Sequence, residues 1–167
     1  MKSKKPLVGL AVLITLLTGC DRHRPELGEM EAFYFRNQDK LASVQKLACA
    51  LQKKYKINFV YFRLDQAQTK LNQVAKSELN ELVSNIKALN FDSLRIERTQ
   101  QGCLLSLPYW DNWWGSSGQY YSLVYNSNTL TQFNPDVHDF TKINWQRSFE
   151  FSKPLANNWS IYFLHAP

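Results

Sequence analysis

Between residues 66 and 89, Leu71, Ala75, Leu79, Leu82, Ile86 and Leu89 recur every three or four positions. That spacing gathers apolar side chains on one face of an α-helix. Residues 37–56 repeat the pattern with Leu41, Val44, Ala48, Leu51 and Tyr55, and Asn37 stands where a helix N-cap belongs. Neither stripe is stable facing water, so each needs an apolar surface opposite it. The remaining chain supplies strands for that purpose. INFVYFRL, residues 57–64, is apolar on both alternating sets, the pattern of an interior strand. After Asn90, strand-type runs follow at 94–98 and 103–107, joined by a turn ending in Gly102, and then at 120–125, 147–151 and 159–164. Helix, strand, helix and then several strands predicts an α+β fold: two helices packed on a mainly antiparallel sheet of about five or six strands, in a single domain.

Ahead of this domain lies a segment of another kind. Lys2, Lys4 and Lys5 precede an apolar run from Leu7 to Leu17, and Thr18 and Gly19 lead into Cys20. A positive start, a short apolar centre and small residues at the end describe an export signal. A membrane span needs roughly 20 apolar residues, and Asp21, Arg22, His23 and Arg24 close this run too early. Leu17-Thr18-Gly19-Cys20 resembles the lipobox of bacterial lipoprotein precursors. The resemblance implies cleavage before Cys20 and diacylglycerol on its sulfur, the alternative being a plain exported protein with an incidental cysteine. Each buried methylene adds about 0.8 kcal/mol, so two or three acyl chains would hold the protein on a membrane. The resemblance also places the domain on the periplasmic side of a cell envelope. Asp21 after the cysteine favours the inner membrane under enterobacterial sorting, with the outer membrane the other possibility. The expected organisation is therefore a signal peptide over 1–19, a lipidated cysteine and tether over 20–32, and a periplasmic domain over 33–167. Asp21 to Glu31 is charged, with Pro25 and Gly28 and little apolar content, and a dozen extended residues reach about 40 Å.

The net charge of +6 overstates the basicity of such a mature chain. Three lysines leave with the signal, so 17 Lys and Arg face 14 Asp and Glu, too even a balance for a nucleic-acid binder. Lys53, Lys54 and Lys56 crowd the end of the first helix, where they complement its C-terminus or face anionic lipid. Cys49 and Cys103 remain once Cys20 is lipidated, and an even pair in an oxidising compartment is a candidate disulfide. Two buried free thiols are the alternative. Cys49 lies off the apolar stripe of its helix, which fits a tether to another element.

Signs of catalysis are few. Of three histidines, His23 lies in the tether and His165 two residues from the end, while His138 stands in PDVHDF between Asp136 and Asp139. Imidazole beside carboxylate suits several divalent ions, but no second histidine or spaced ligand pair accompanies it, so the segment reads as a polar loop. GSSG at 115–118 falls short of the esterase elbow G-x-S-x-G by one position and reads as a flexible loop. No phosphate-cradling loop, zinc-type cysteine pairing or H-E-x-x-H occurs. These observations call for no cofactor and no metal, and point away from an enzyme.

The most unusual stretch is LPYWDNWWGSSGQYYSLVYN, residues 107–126. From Thr99 to Thr141 there is no Lys or Arg, so its rings are not interleaved with cations as in a single-strand nucleic-acid site. Aromatics among Asn, Gln, Ser and Gly suit a protein partner or a neutral sugar face, although one face of the strand 120–125 must pack inward. Tyr109, Trp110, Trp113, Trp114, Tyr120 and Tyr121 are the candidate contact residues. Trp113 and Trp114 lead, because neighbours in a glycine-flanked loop do not both enter one core. The expected function is a lipid-anchored envelope module binding a protein partner, of an immunity or inhibitor type. A peptidoglycan-binding lipoprotein is the alternative, and an envelope hydrolase using His138 or a loop serine ranks third.

Overall fold

The computed structural model describes residues 23–127, 131–141 and 144–167; Cys20 and the signal segment lie outside them. Helices α1 (Leu27–Arg36), α2 (Gln38–Lys54), α3 (Ala67–Lys70) and α4 (Lys76–Lys87) accompany strands β1 (Phe59–Arg63), β2 (Ser93–Thr99), β3 (Gly102–Trp114), β4 (Ser117–Tyr125), β5 (Phe149–Pro154) and β6 (Trp159–Ala166). The six strands form one sheet in the order β1-β2-β3-β4-β6-β5, every neighbouring pair antiparallel. The α+β architecture expected from the chain is therefore the one observed. Among the described residues, no helix is long and apolar enough to cross a membrane.

Helix α2 buries Leu41, Val44, Ala48 and Leu51 against β2 and β3, and α4 buries Leu79, Leu82 and Ile86 beside it. Cys49, off that stripe, is bonded to Cys103 on β3, with Cα atoms 5.6 Å apart. Lys54 at the end of α2 pairs with Glu78 of α4 at 2.9 Å, and Tyr55 donates to the same carboxylate at 2.7 Å. Asn37 does not cap α2 with its side chain. Its Nδ2 turns back and donates to the Phe33 carbonyl at 2.9 Å, leaving Asn37 as the joint between α1 and α2.

Three expectations change. The tether does not run to residue 32, because Leu27 opens a helix. The Glu29 carboxylate accepts from the Glu26 N–H at 2.8 Å, one half of a capping box. Four residues apart, Met30 and Tyr34 then point into the core and are buried, and the Tyr34 hydroxyl donates to the Ala156 carbonyl at 2.8 Å. The helix expected over 66–89 is interrupted. After α3 the chain turns through Leu71 and Val74, both buried, so Val74 takes the inward place expected of Ala75, which is exposed. Finally, β1 is an edge strand rather than an interior one. Phe62 is buried, but Phe59 and Tyr61 on the opposite face are 60% and 51% exposed.

The helices cover one face of the sheet only. Leu105, Leu107, Tyr121, Leu123, Ile161 and Phe163 point into that covered core, while the alternate residues Ser106, Tyr120, Ser122, Val124, Ser160 and Tyr162 lie on the opposite, helix-free face.

Candidate functional site

The aromatic stretch is not a loop. It is the outer half of a long hairpin in which β3 runs on to Trp114 and pairs it with Ser117, leaving only Gly115 and Ser116 to turn. Gly115 adopts φ +65°, which a side chain would strain. The GSSG segment is thus a tight turn and the start of β4.

A register shift between Pro108 and Trp110 decides where the rings go. One extra residue in β3 puts both Tyr109 and Trp110 on the helix side. Tyr109 packs edge-on against Phe33 and Phe91, with ring centres 5.2 and 6.2 Å away, and burial raises its pKa. Trp110 lies 6.1 Å from Tyr121. Tyr121 has no exposed surface at all and is no contact residue. Its hydroxyl is buried without a hydrogen-bond partner, and burial drives its pKa far up. Beyond the shift, alternation resumes. Asp111 and Trp113 share the helix-free face with Tyr120, and Trp113 remains 42% exposed with its ring over Gly118, where a Cβ would stand 2.7 Å from ring carbons. The six aromatic candidates therefore do not form one surface. Tyr109, Trp110 and Tyr121 belong to the core side; Tyr120 and Trp113 belong to the other; the Trp114 side chain lies outside the described atoms.

The helix-free face carries a cleft of about 490 Å³ lined by Arg95, Leu104, Ser106, Tyr120, Ser122, Val124, Glu150 and Tyr162 among others. Tyr120 and Tyr162 meet edge to face at 6.3 Å. The Tyr120 hydroxyl lies 3.3 Å from Ser106 Oγ, and that of Tyr162 donates to Glu150. Burial, helped by the Glu150 charge, raises the Tyr162 pKa strongly. Ser122 Oγ is buried there with no partner. Arg95 pairs with Glu97 one pleat along.

This face continues onto β1, which the sequence reading missed. The Asn58 carbonyl accepts from the Arg98 N–H and the Leu64 N–H donates to the Asp92 carbonyl, both at 2.8 Å. Antiparallel pairs alternate between bonded and non-bonded, so even-numbered residues of β1 face β2. Phe59, Tyr61 and Arg63 then aim their N–H and C=O groups at the free edge of the sheet, and their side chains project from its helix-free face. A visible signal was the pair of rings alternating with Arg63 in a strand already rich in apolar residues.

A second and larger cavity, about 700 Å³, opens on the helix side of the hairpin, between residues 23–27, Trp110, Asn112, Gln119 and the segment 133–141. Arg24 crosses it. Its guanidinium lies 4.3 Å from the Phe140 ring centre and 5.4 Å from that of Trp145, and Nη1 donates to Gln119 Oε1 at 3.5 Å. His138 borders the cavity but is engaged locally. Its Nδ1 accepts from the Asn134 N–H at 2.8 Å, which puts the neutral ring's proton on Nε2, and its ring packs on Phe133 and Phe151. Burial holds its pKa below the ordinary histidine value. His165 is held more firmly than its position near the end implied, with Nε2 2.8 Å from the Trp145 carbonyl. Among the described residues, no three His, Cys, Asp or Glu side chains gather as a metal site.

Comparison with family models, with curated proteins and with solved structures finds no match.

Proposed function

We propose that this chain is a lipid-anchored module of the cell envelope that binds a protein partner by strand addition at β1, with the helix-free face as the contact surface. The observation that carries the reading is the free edge. Five consecutive residues leave alternate backbone donors and acceptors unspent beside two exposed rings. Native sheets blunt such edges with charged residues, prolines or bulges; β1 has no proline and no bulge, and its one charge, Arg63, stands at the end of the strand beyond Phe59 and Tyr61. Backbone bonds would supply affinity, and Phe59, Tyr61 and the neighbouring cleft would select the side chains of the added strand. A module of this size that occupies one strand edge of an incoming protein fits an immunity or inhibitor role.

The test is a photo-crosslinking amino acid placed at Tyr61, and in a separate sample at Asn80 on the helix side, in the membrane-anchored protein in cells. A discrete protein adduct at position 61, absent at 80 and lost when Phe59→Lys is added, supports the reading. Equal labelling at both positions, or none, overturns it. Cosedimentation of the protein with purified peptidoglycan, abolished by Tyr162→Ala, would transfer the helix-free cleft to a glycan instead.

A further inference from the structure

The chain outside the described residues and the point where it joins the domain together fix how far the domain stands from its anchor. Resting on the lipid-anchor reading of Cys20, we propose that the tip of the β3–β4 hairpin lies against the bilayer that holds the lipid, with Trp113 at the membrane–water interface.

The twelve-residue tether expected from the sequence is not free along its length. Arg24 is clipped across the large cavity by Phe140, Trp145 and Gln119. Only four peptide steps separate it from Cys20, and fully extended they span about 14 Å. The bilayer surface is therefore within about 14 Å of the clip, not 40 Å. Gln119 pairs with Asn112 across the hairpin, and Trp113 pairs with Gly118 one step nearer the turn. At about 3.4 Å per residue, the turn stands about 10 Å beyond the clip. The tether and the hairpin tip are thus matched in reach.

The chemistry of the tip suits an interface. Trp113 is 42% exposed, and indole rings concentrate at the headgroup level, where one side is apolar and the other wet. Gly115 and Ser116 at the turn carry no charge, while Arg22, two residues from the anchor in the sequence, supplies a cation for anionic headgroups. Asp111, on the same face as Trp113 and about 7 Å further back, stays on the water side. The exposed indole that resembled a partner contact has a nearer occupant.

The experiment uses the full-length protein, purified with its lipid and reconstituted into phosphatidylethanolamine–phosphatidylglycerol vesicles with and without lipids brominated high on the acyl chain. Mass spectrometry first establishes the diacylglyceryl group on Cys20. In a protein carrying Trp114→Phe, so that Trp113 is the one indole at the tip, bromine-dependent quenching of tryptophan fluorescence that is mostly lost on adding Trp113→Phe or Arg24→Ala is the expected result. Thermal unfolding shows that both variants remain folded, and Trp113→Phe keeps a ring over Gly118. Lipidated protein whose quenching is absent, or is equal in parent and variants, overturns the docked tip while leaving the anchor standing. Cys20 without lipid overturns both.

Discussion

Tyr121 shows what a single polar atom does in this core. Its ring is sandwiched between Trp110 and Phe163, at 6.1 and 4.6 Å, while its hydroxyl has no partner. A buried, unpaired hydroxyl costs about 1–3 kcal/mol. Tyr121→Phe removes the penalty and keeps the ring, so it raises the unfolding free energy by about 1 kcal/mol, read from urea denaturation. His138 carries a penalty of another kind. Burial favours its neutral form, so the folded pKa is the depressed one and the unfolded chain binds more protons below the ordinary histidine pKa of about 6.5. The stability it contributes is complete above that value and falls as pH drops through it. Urea midpoints at pH 8 and pH 5.5 differ in the parent, and the difference shrinks in His138→Asn, whose amide oxygen stands where Nδ1 does and can still accept from the Asn134 N–H.

At the scale of elements, the disulfide joins the first layer to the second. Cys49 on α2 and Cys103 on β3 are 54 positions apart, and closing a loop of that length is worth about 4 kcal/mol in the chain-entropy model. Cys49→Ser with Cys103→Ser is expected to lower stability by about that amount in urea, and a reductant should reproduce the loss in the parent. This pairing was legible because a cysteine off an apolar stripe has few other uses, and helix α2 and the strands after Asn90 were legible because their periodicity answers to one buried face. What stayed hidden were departures from uniform period. A run apolar on both sets reads as interior, yet β1 pairs on one side only, and edge position depends on strand order, which local pattern does not encode. The extra residue at Tyr109 puts Tyr109 and Trp110 on one side of β3, and neither that shift nor the continuation of β3 to Trp114, where a loop was expected, is encoded in local composition. Helix α1 was missed because its charged start hides a short stripe in which only Met30 and Tyr34 are fully buried, with Leu27 and Phe33 partly so. The free edge of β1 carries its own consequence. The Tyr61 N–H points away from β2, so Tyr61→Pro removes an edge donor without breaking a ladder bond. It should leave the unfolding midpoint nearly unchanged while abolishing a partner adduct formed from a crosslinker at Phe59.

For the whole molecule, the decisive matter is where the folded unit begins, because it determines stability and, on the proposed lipid anchor at Cys20, distance from the membrane. Sequence composition placed that boundary at residue 33, whereas the packing places it near the clip at Arg24. Met30 is fully buried and Leu27 packs against the same core, while Glu31 on the same helix pairs with Lys153 of β5. Removing a buried methionine side chain alone costs about 2–5 kcal/mol, a large share of the 5–15 kcal/mol typical of a domain. A chain of residues 23–167 is therefore expected to unfold cooperatively at a Tm higher by about 10 °C or more than a chain of residues 33–167, both oxidised and compared by calorimetry. Equal values would mean that α1 merely rests on the domain. The tether would then regain the full length that its composition implied, and the hairpin tip would lose its fixed distance from the bilayer. On the proposed lipid anchor, the segment that completes the core also shortens the leash and so turns the hairpin end toward the membrane. Two strands from β3 in the sheet, about 10 Å at 4.8 Å per strand, the β1 edge is then left free for the proposed partner.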